Sequence, residues 1–183
     1  AESTFVEAYH RDLPLEKQVT VIEANLASPS SVYHLYRIHR KVPLLQLQDL
    51  YDALDAAWKE HDYGRTIASY LSLEDPNPPE VGEFFFPFTA IDASGDTFVL
   101  SETITKSNKW ILLEFRNLYC PYGRKAVDEL GEVAKLYSKE LEIITFLDDT
   151  RAFLWERFLA EDQTDWTKLW DGAGETGITC AAY

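Results

Sequence analysis

The chain has 183 residues, 46% of them hydrophobic and 14% aromatic, which suits one sizeable core with a small appendage and excludes a disordered polypeptide. Its net charge of −14 repels phosphate backbones and anionic lipids, and so argues against nucleic acid or a membrane surface as partner. No apolar run approaches the roughly 18 residues of a membrane span, and two cysteines, Cys120 and Cys180, are too few for a disulfide scaffold.

Ala1 is not an initiator methionine and no signal peptide follows it, as expected of a processed or trimmed chain. Residues 1–73 carry helical periodicity. Val32, Leu35, Tyr36 and His39 recur at i, i+3, i+4 and i+7 behind Ser28-Pro29-Ser30-Ser31, a good N-cap region. Pro43 opens a second helix whose Leu47, Leu50, Tyr51, Leu54 and Trp58 form one stripe, and a third, shorter helix runs through Arg65 to Leu71. The Pro- and acid-rich residues 74–80 form a linker.

From residue 81 the period changes. Phe86–Ile91 and Thr97–Leu100 flank Ala93-Ser94-Gly95-Asp96 and read as a β-hairpin. Trp110–Phe115 is continuously apolar apart from Glu114 and is expected in the buried centre of a parallel sheet. A helix follows with Val127, Leu130, Ala134 and Tyr137 on one face, then a second buried strand, Leu141–Leu147. Asp148-Asp149-Thr150 can cap the next helix, which bears Phe153, Trp155, Phe158 and Leu159. Hairpin, strand, helix, strand, helix implies an α/β domain over 81–183 with right-handed crossovers.

Cys120 stands at the junction of the apolar strand and the helix that Pro121 opens. A helix N-terminus favours a thiolate, so this is where a reactive sulfur is expected. Three residues on, where a second cysteine would resolve a mixed disulfide, stands Gly123. Glu114 is a carboxylate inside an apolar strand, which needs a proton or a partner. It reads either as a buried acid/base or as the partner of Arg116 or Lys125. Cys180 reads as a packing cysteine. His34 and His39 lie five apart and share no helix face as i, i+4 ligands would, while His10 and His61 are scattered, so no metal site and no cofactor is expected.

Several segments resemble the thioredoxin-like superfamily, in particular the secreted TlpA/ResA-type, AhpC/TSA-related thiol-disulfide oxidoreductases of Bacteroidetes. Val81-Gly82-Glu83 followed by Phe88-Thr89-Ala90-Ile91-Asp92-Ala93-Ser94-Gly95 is similar to their opening hairpin. Leu113-Glu114-Phe115-Arg116-Asn117-Leu118-Tyr119-Cys120 resembles their strand into the reactive cysteine, and Trp166-Thr167-Lys168-Leu169 a later segment. The resemblance implies a thioredoxin-like α/β fold: an N-terminal β-hairpin plus parallel strands with crossover helices, preceded by a small helical region. It implies Cys120 as the attacking sulfur, Glu114 as the buried acid, Pro121, Tyr122 and Gly123 as the rest of the motif, and Tyr119 as the apolar rim of a substrate groove. The implied partners are protein or small-molecule thiols and disulfides, in a periplasmic or secreted location.

Two departures stand out. Gly123 replaces the resolving cysteine, leaving a Cys-Pro-Tyr-Gly site. The family continues beyond the position matching Ala181-Ala182-Tyr183 with a cis-proline loop, further strands and a helix, so the C-terminal strands are expected to be missing, with a second copy of the chain as one way to complete the sheet. A single-cysteine exchange protein is the leading expectation. The alternatives are a redox-inactive interaction module and a one-cysteine thiol peroxidase, although Asn117 stands where peroxidases carry a threonine.

Overall fold

The computed structural model describes residues 13–183, so the start of the predicted helical region, His10 included, lies outside the described residues. The chain divides into two compact units, one running to Pro78 and including Ala181–Tyr183, the other Pro79–Cys180.

The first unit is helical. α1 (Leu15–Glu23) buries Val19 and Ile22, a helix absent from the sequence-based reading. α2 (Pro29–Ile38) starts where expected: the Ser28 side chain accepts the Ser30 amide, Pro29 fills the first turn, and Val32, Leu35 and Ile38 are buried. The predicted helix from Pro43 is two helices, α3 (Leu44–Ala53) and α4 (Ala56–Lys59). They part because Leu54 turns to extended backbone and Asp55 caps a new start, its carboxylate accepting the Ala57 amide at 2.9 Å. α5 (Asp62–Leu71) buries Ile67 and Tyr70. Its Gly64 is required by close approach, since a Cβ there would meet the Trp58 carbonyl oxygen at 2.2 Å. The C-terminal residues join this unit through Arg40, whose guanidinium donates to the Ala181 carbonyl at 2.8 Å.

The second unit holds the five-stranded mixed sheet of the expected α/β class. β1 (Thr89–Asp92) and β2 (Thr97–Val99) form the antiparallel hairpin, with Gly95 supplying the positive φ of 85° that its turn demands. After α6 (Leu100–Lys106) come β3 (Trp110–Arg116), α7 (Pro121–Leu136), β4 (Leu141–Leu147), α8 (Ala152–Glu161) and β5 (Thr167–Trp170). A short helix, α9 (Ile178–Ala182), ends the described chain. The strand order is β2-β1-β5-β4-β3, with β3, β4 and β5 parallel and β1 antiparallel to β5.

β4 runs between β5 and β3, parallel to both, and its Ile143, Ile144, Phe146 and Leu147 are all buried. Each such side chain contributes about 1.5–3 kcal/mol relative to exposure. Phe146 carries Phe88 edge-on at 5.5 Å and Phe115 at 5.4 Å. β3, expected in the buried centre of the sheet, is half-buried over most of its length. It pairs with β4 along all seven residues, but among the described residues no strand covers its other side. Trp110 at its start is 81% exposed. β3–β4 and β4–β5 advance in one direction across the sheet, so right-handed crossovers put α7 and α8 on the same face. α8 packs Trp155 and Phe158 on Leu147, with Leu118, Leu159 and Trp170 around them. Its cap differs from the expected acidic run: Arg151 holds the N-cap position, and Asp149 accepts the Arg151 amide at 2.9 Å. Tyr137 is exposed at the C-cap of α7 rather than part of its packed face.

Candidate functional site

The site forms at the carboxyl ends of the parallel strands, where open α/β sheets expose their loops. β3 ends at Arg116, whose carbonyl accepts the Asp148 amide at 2.9 Å. The next four residues make a tight turn on Asn117. Its side-chain oxygen accepts the Tyr119 amide at 3.0 Å and its carbonyl accepts the Cys120 amide at 3.1 Å. Cys120 is then the N-cap residue of α7, in extended conformation and exposed, and Pro121 takes the first helical position with its φ preset. The Gly123 amide donates to the Cys120 carbonyl at 3.1 Å, folding the second-cysteine position back over the first.

That fold-back has a definite geometry. A Cβ built on Gly123 lies 3.9 Å from the Cys120 Cβ and 3.7 Å from the Asn117 carbonyl oxygen, both ordinary contacts. Disulfides span about 3.5–4.5 Å between Cβ atoms. The Cβ separation at positions 120 and 123 therefore lies within the span of a disulfide.

Around Cys120, Tyr119 and Tyr122 are exposed, Tyr122 at 81%. The Arg151 guanidinium lies over the Tyr119 ring at 5.3 Å and over Phe153 at 5.8 Å, and is held by Asp149 through bonds of 2.8 and 2.6 Å. One side of Cys120 opens into a cleft of about 1140 Å³ between α7 and α8, floored by Arg116 and lined by Gly123, Val127, Phe158 and Asp162. Its volume slightly exceeds the roughly 300–1,000 Å³ of small-ligand sites.

Glu114 lies on the same face of β3 as Arg116, two residues away. Its carboxylate accepts from Arg116 Nε at 2.9 Å and Nη2 at 2.6 Å, and from the Thr145 hydroxyl at 2.8 Å. Of the two readings of Glu114, this geometry matches the partner of Arg116. Arg116 also donates to Asp162, and its guanidinium stacks on Phe158 at 5.3 Å and Trp166 at 5.7 Å. Burial pushes the Asp162 carboxyl upward, but the Thr164 hydroxyl and amide, with the Arg116 and Lys168 charges, outweigh it and hold the group below its ordinary value. The sequence hinted at this network only through Glu114-x-Arg116. Asp162 and Lys168 are too distant in sequence to be found.

Cys180 is half-buried on α9. Its sulfur donates to Asp148 at 3.7 Å. Burial, then the charges of Asp148 and Asp171, push its thiol well above the ordinary range. Burial and the Glu175 charge push Asp148 up to about 6. No cluster of three or more His, Cys, Asp or Glu among the described residues has the arrangement of a metal site. No described helix is long and apolar enough to cross a membrane.

No protein-family model matches the chain, and no curated protein matches it. Among solved structures it is similar to a thiol-disulfide oxidoreductase from Bacteroides fragilis, with 20% identity over 54% of this chain and 72% of that one (TM-score 0.45). It is similar to the thioredoxin domain of a thiol-disulfide oxidoreductase from Bacteroides vulgatus, with 22% identity over 55% and 66% (TM-score 0.42). A thioredoxin-like protein from Bacteroides caccae matches 86% of this chain and 62% of its own, at 13% identity (TM-score 0.42). The chain thus spans about two thirds of the length of these structures.

Proposed function

We propose that the chain is a thioredoxin-like thiol-disulfide exchange protein with Cys120 as its single active-site nucleophile. The observation that carries this reading is an exposed cysteine at the N-cap of a sixteen-residue helix, at the mouth of a cleft, with its neighbour at position 123 in disulfide geometry. In the first step the Cys120 thiolate attacks one sulfur of a substrate disulfide. A bond forms between Cys120 and that sulfur, the substrate S–S bond breaks, and the second sulfur leaves as a thiolate that takes a proton from water. Gly123 carries no sulfur to resolve this mixed disulfide, so an external thiol does so. It attacks the substrate sulfur, returns Cys120 as a thiolate, and departs in a disulfide with the substrate sulfur. Tyr119 and Tyr122 supply an apolar rim for the substrate, Pro121 fixes the helix start, and Glu114 acts through its pairing with Arg116. The substrates are protein or small-molecule disulfides, and the setting is periplasmic or secreted, where disulfides persist.

Exchange with a dithiobis(nitrobenzoate) disulfide tests this. Native protein releases one nitrothiobenzoate per chain quickly, and Cys120→Ser loses that phase. A Cys120→Ser protein as reactive as the original contradicts the assignment, and a flat response favours a redox-inactive interaction module.

A further inference from the structure

We infer that Arg116 is a positioning residue for Cys120, fixing the reactive turn against the opposite wall of the cleft; the inference rests on the exchange reading above. β3 is held by backbone hydrogen bonds on one side alone among the described residues, and it delivers the turn bearing Cys120. Exchange tolerates little displacement of the attacking sulfur.

Arg116, the last residue of β3, anchors the start of that turn. Its guanidinium is 6% exposed and bonds both oxygens of Glu114 on its own strand. It donates to the Thr145 hydroxyl of β4 at 3.4 Å and to Asp162, one residue past α8. Asp162 is met in turn by Lys168 of β5 at 3.4 Å, and Lys168 also donates to the Thr164 carbonyl at 2.6 Å. The network therefore crosses three strands. Phe158 and Trp166 fix the plane of the guanidinium. One covalent step beyond Arg116 the turn to Cys120 begins, and Asp162 lies on the facing wall of the same cleft. Arg116 thereby ties the two walls together. Buried ion networks seldom add stability over apolar packing, and a set geometry is what this one supplies.

The test uses Arg116→Met, which removes the shared cation from Glu114 and Asp162, Arg116→Lys, which keeps the charge without the planar fork, and Asp162→Asn, which keeps a hydrogen-bond acceptor and is the mildest. Each variant is first checked as folded by circular dichroism. Two readouts follow: the rate of Cys120 exchange with glutathione disulfide against its alkylation by iodoacetamide, and the mobility of a maleimide nitroxide on Cys120 in a Cys180→Ala background. Exchange is expected to fall about tenfold or more while alkylation of the exposed thiol holds, and the label to become more mobile. Arg116→Lys is expected to recover only part of both. Folded variants with unchanged label mobility and an unchanged ratio of exchange to alkylation overturn the inference. An unmodified wild type after disulfide treatment removes the exchange reading, while label mobility still decides whether Arg116 fixes the turn.

Discussion

A Cβ on Gly123 would sit 3.9 Å from the Cys120 Cβ, inside the span that a disulfide requires. The φ of Gly123 is not in the left-handed region and its space is open, so a side chain there meets ordinary contacts.

Gly123→Cys is therefore expected to form an intramolecular disulfide with Cys120 under mild oxidation. Non-reducing mass spectrometry should find the pair joined and lighter by two hydrogens, and the reduced variant should turn over in an insulin-reduction assay where the original chain does not. Free thiols at both positions after oxidation would show that the turn is not in the geometry described.

Gly64→Ala is expected to destabilise the helical unit by about 1–3 kcal/mol, because the new methyl meets the backbone carbonyls of Trp58 and Lys59 at 2.2 and 2.6 Å. Backbone cannot swing aside as a flexible side-chain tip can. Urea unfolding followed by far-ultraviolet circular dichroism reads this, and a midpoint unchanged from the original would refute the close approach.

Asp148 and His39 predict opposite pH dependences. The Asp148 carboxyl is pushed up to about 6, mainly by burial and then by Glu175, so the folded state holds its proton more tightly than the unfolded chain does. That stabilisation is full below the ordinary carboxylate value of 3.8 and is lost as pH rises through about 6. Asp148→Asn should accordingly raise Tm relative to the original at pH 7.5 and change it little at pH 4. An equal effect at both pH values would contradict the burial argument.

His39 is lowered by burial, against the pull of its bond to the Tyr36 carbonyl, with Arg40 adding to the lowering. Its ring stacks on Tyr36 at 5.6 Å and meets Tyr70 edge-on at 4.8 Å. The unfolded chain binds the proton first, so stability from this group is lost as pH falls below 6.5. An NMR titration of His39 should give a midpoint below 6.5, and a midpoint above it would contradict the packing.

The sequence pattern revealed much of this fold, and its failures have physical reasons. Leu141–Leu147 reads as a buried strand, and β4 buries Ile143, Ile144, Phe146 and Leu147. Trp110–Phe115 has a similar run and pairs on one side alone among the described residues, since periodicity reports what covers the two faces of a strand, not which strand lies beside it. The stripe from Leu47 to Trp58 suggested one helix, and Asp55, a strong capping residue within it, marked the break. At the candidate site, the helix start at Cys120 and Pro121 was legible because it follows from adjacency. The Arg116–Asp162 pair was not, since 46 residues separate its members and only the tertiary fold brings them together.

Mass mapping of the native chain after incubation with glutathione disulfide tests the central claim most directly. One glutathione adduct is expected on Cys120, removed by added thiol, with Cys180 unmodified because burial and neighbouring carboxylates suppress its thiolate. A chain that stays unmodified, or that carries its adduct on Cys180 instead, would contradict Cys120 as the nucleophile.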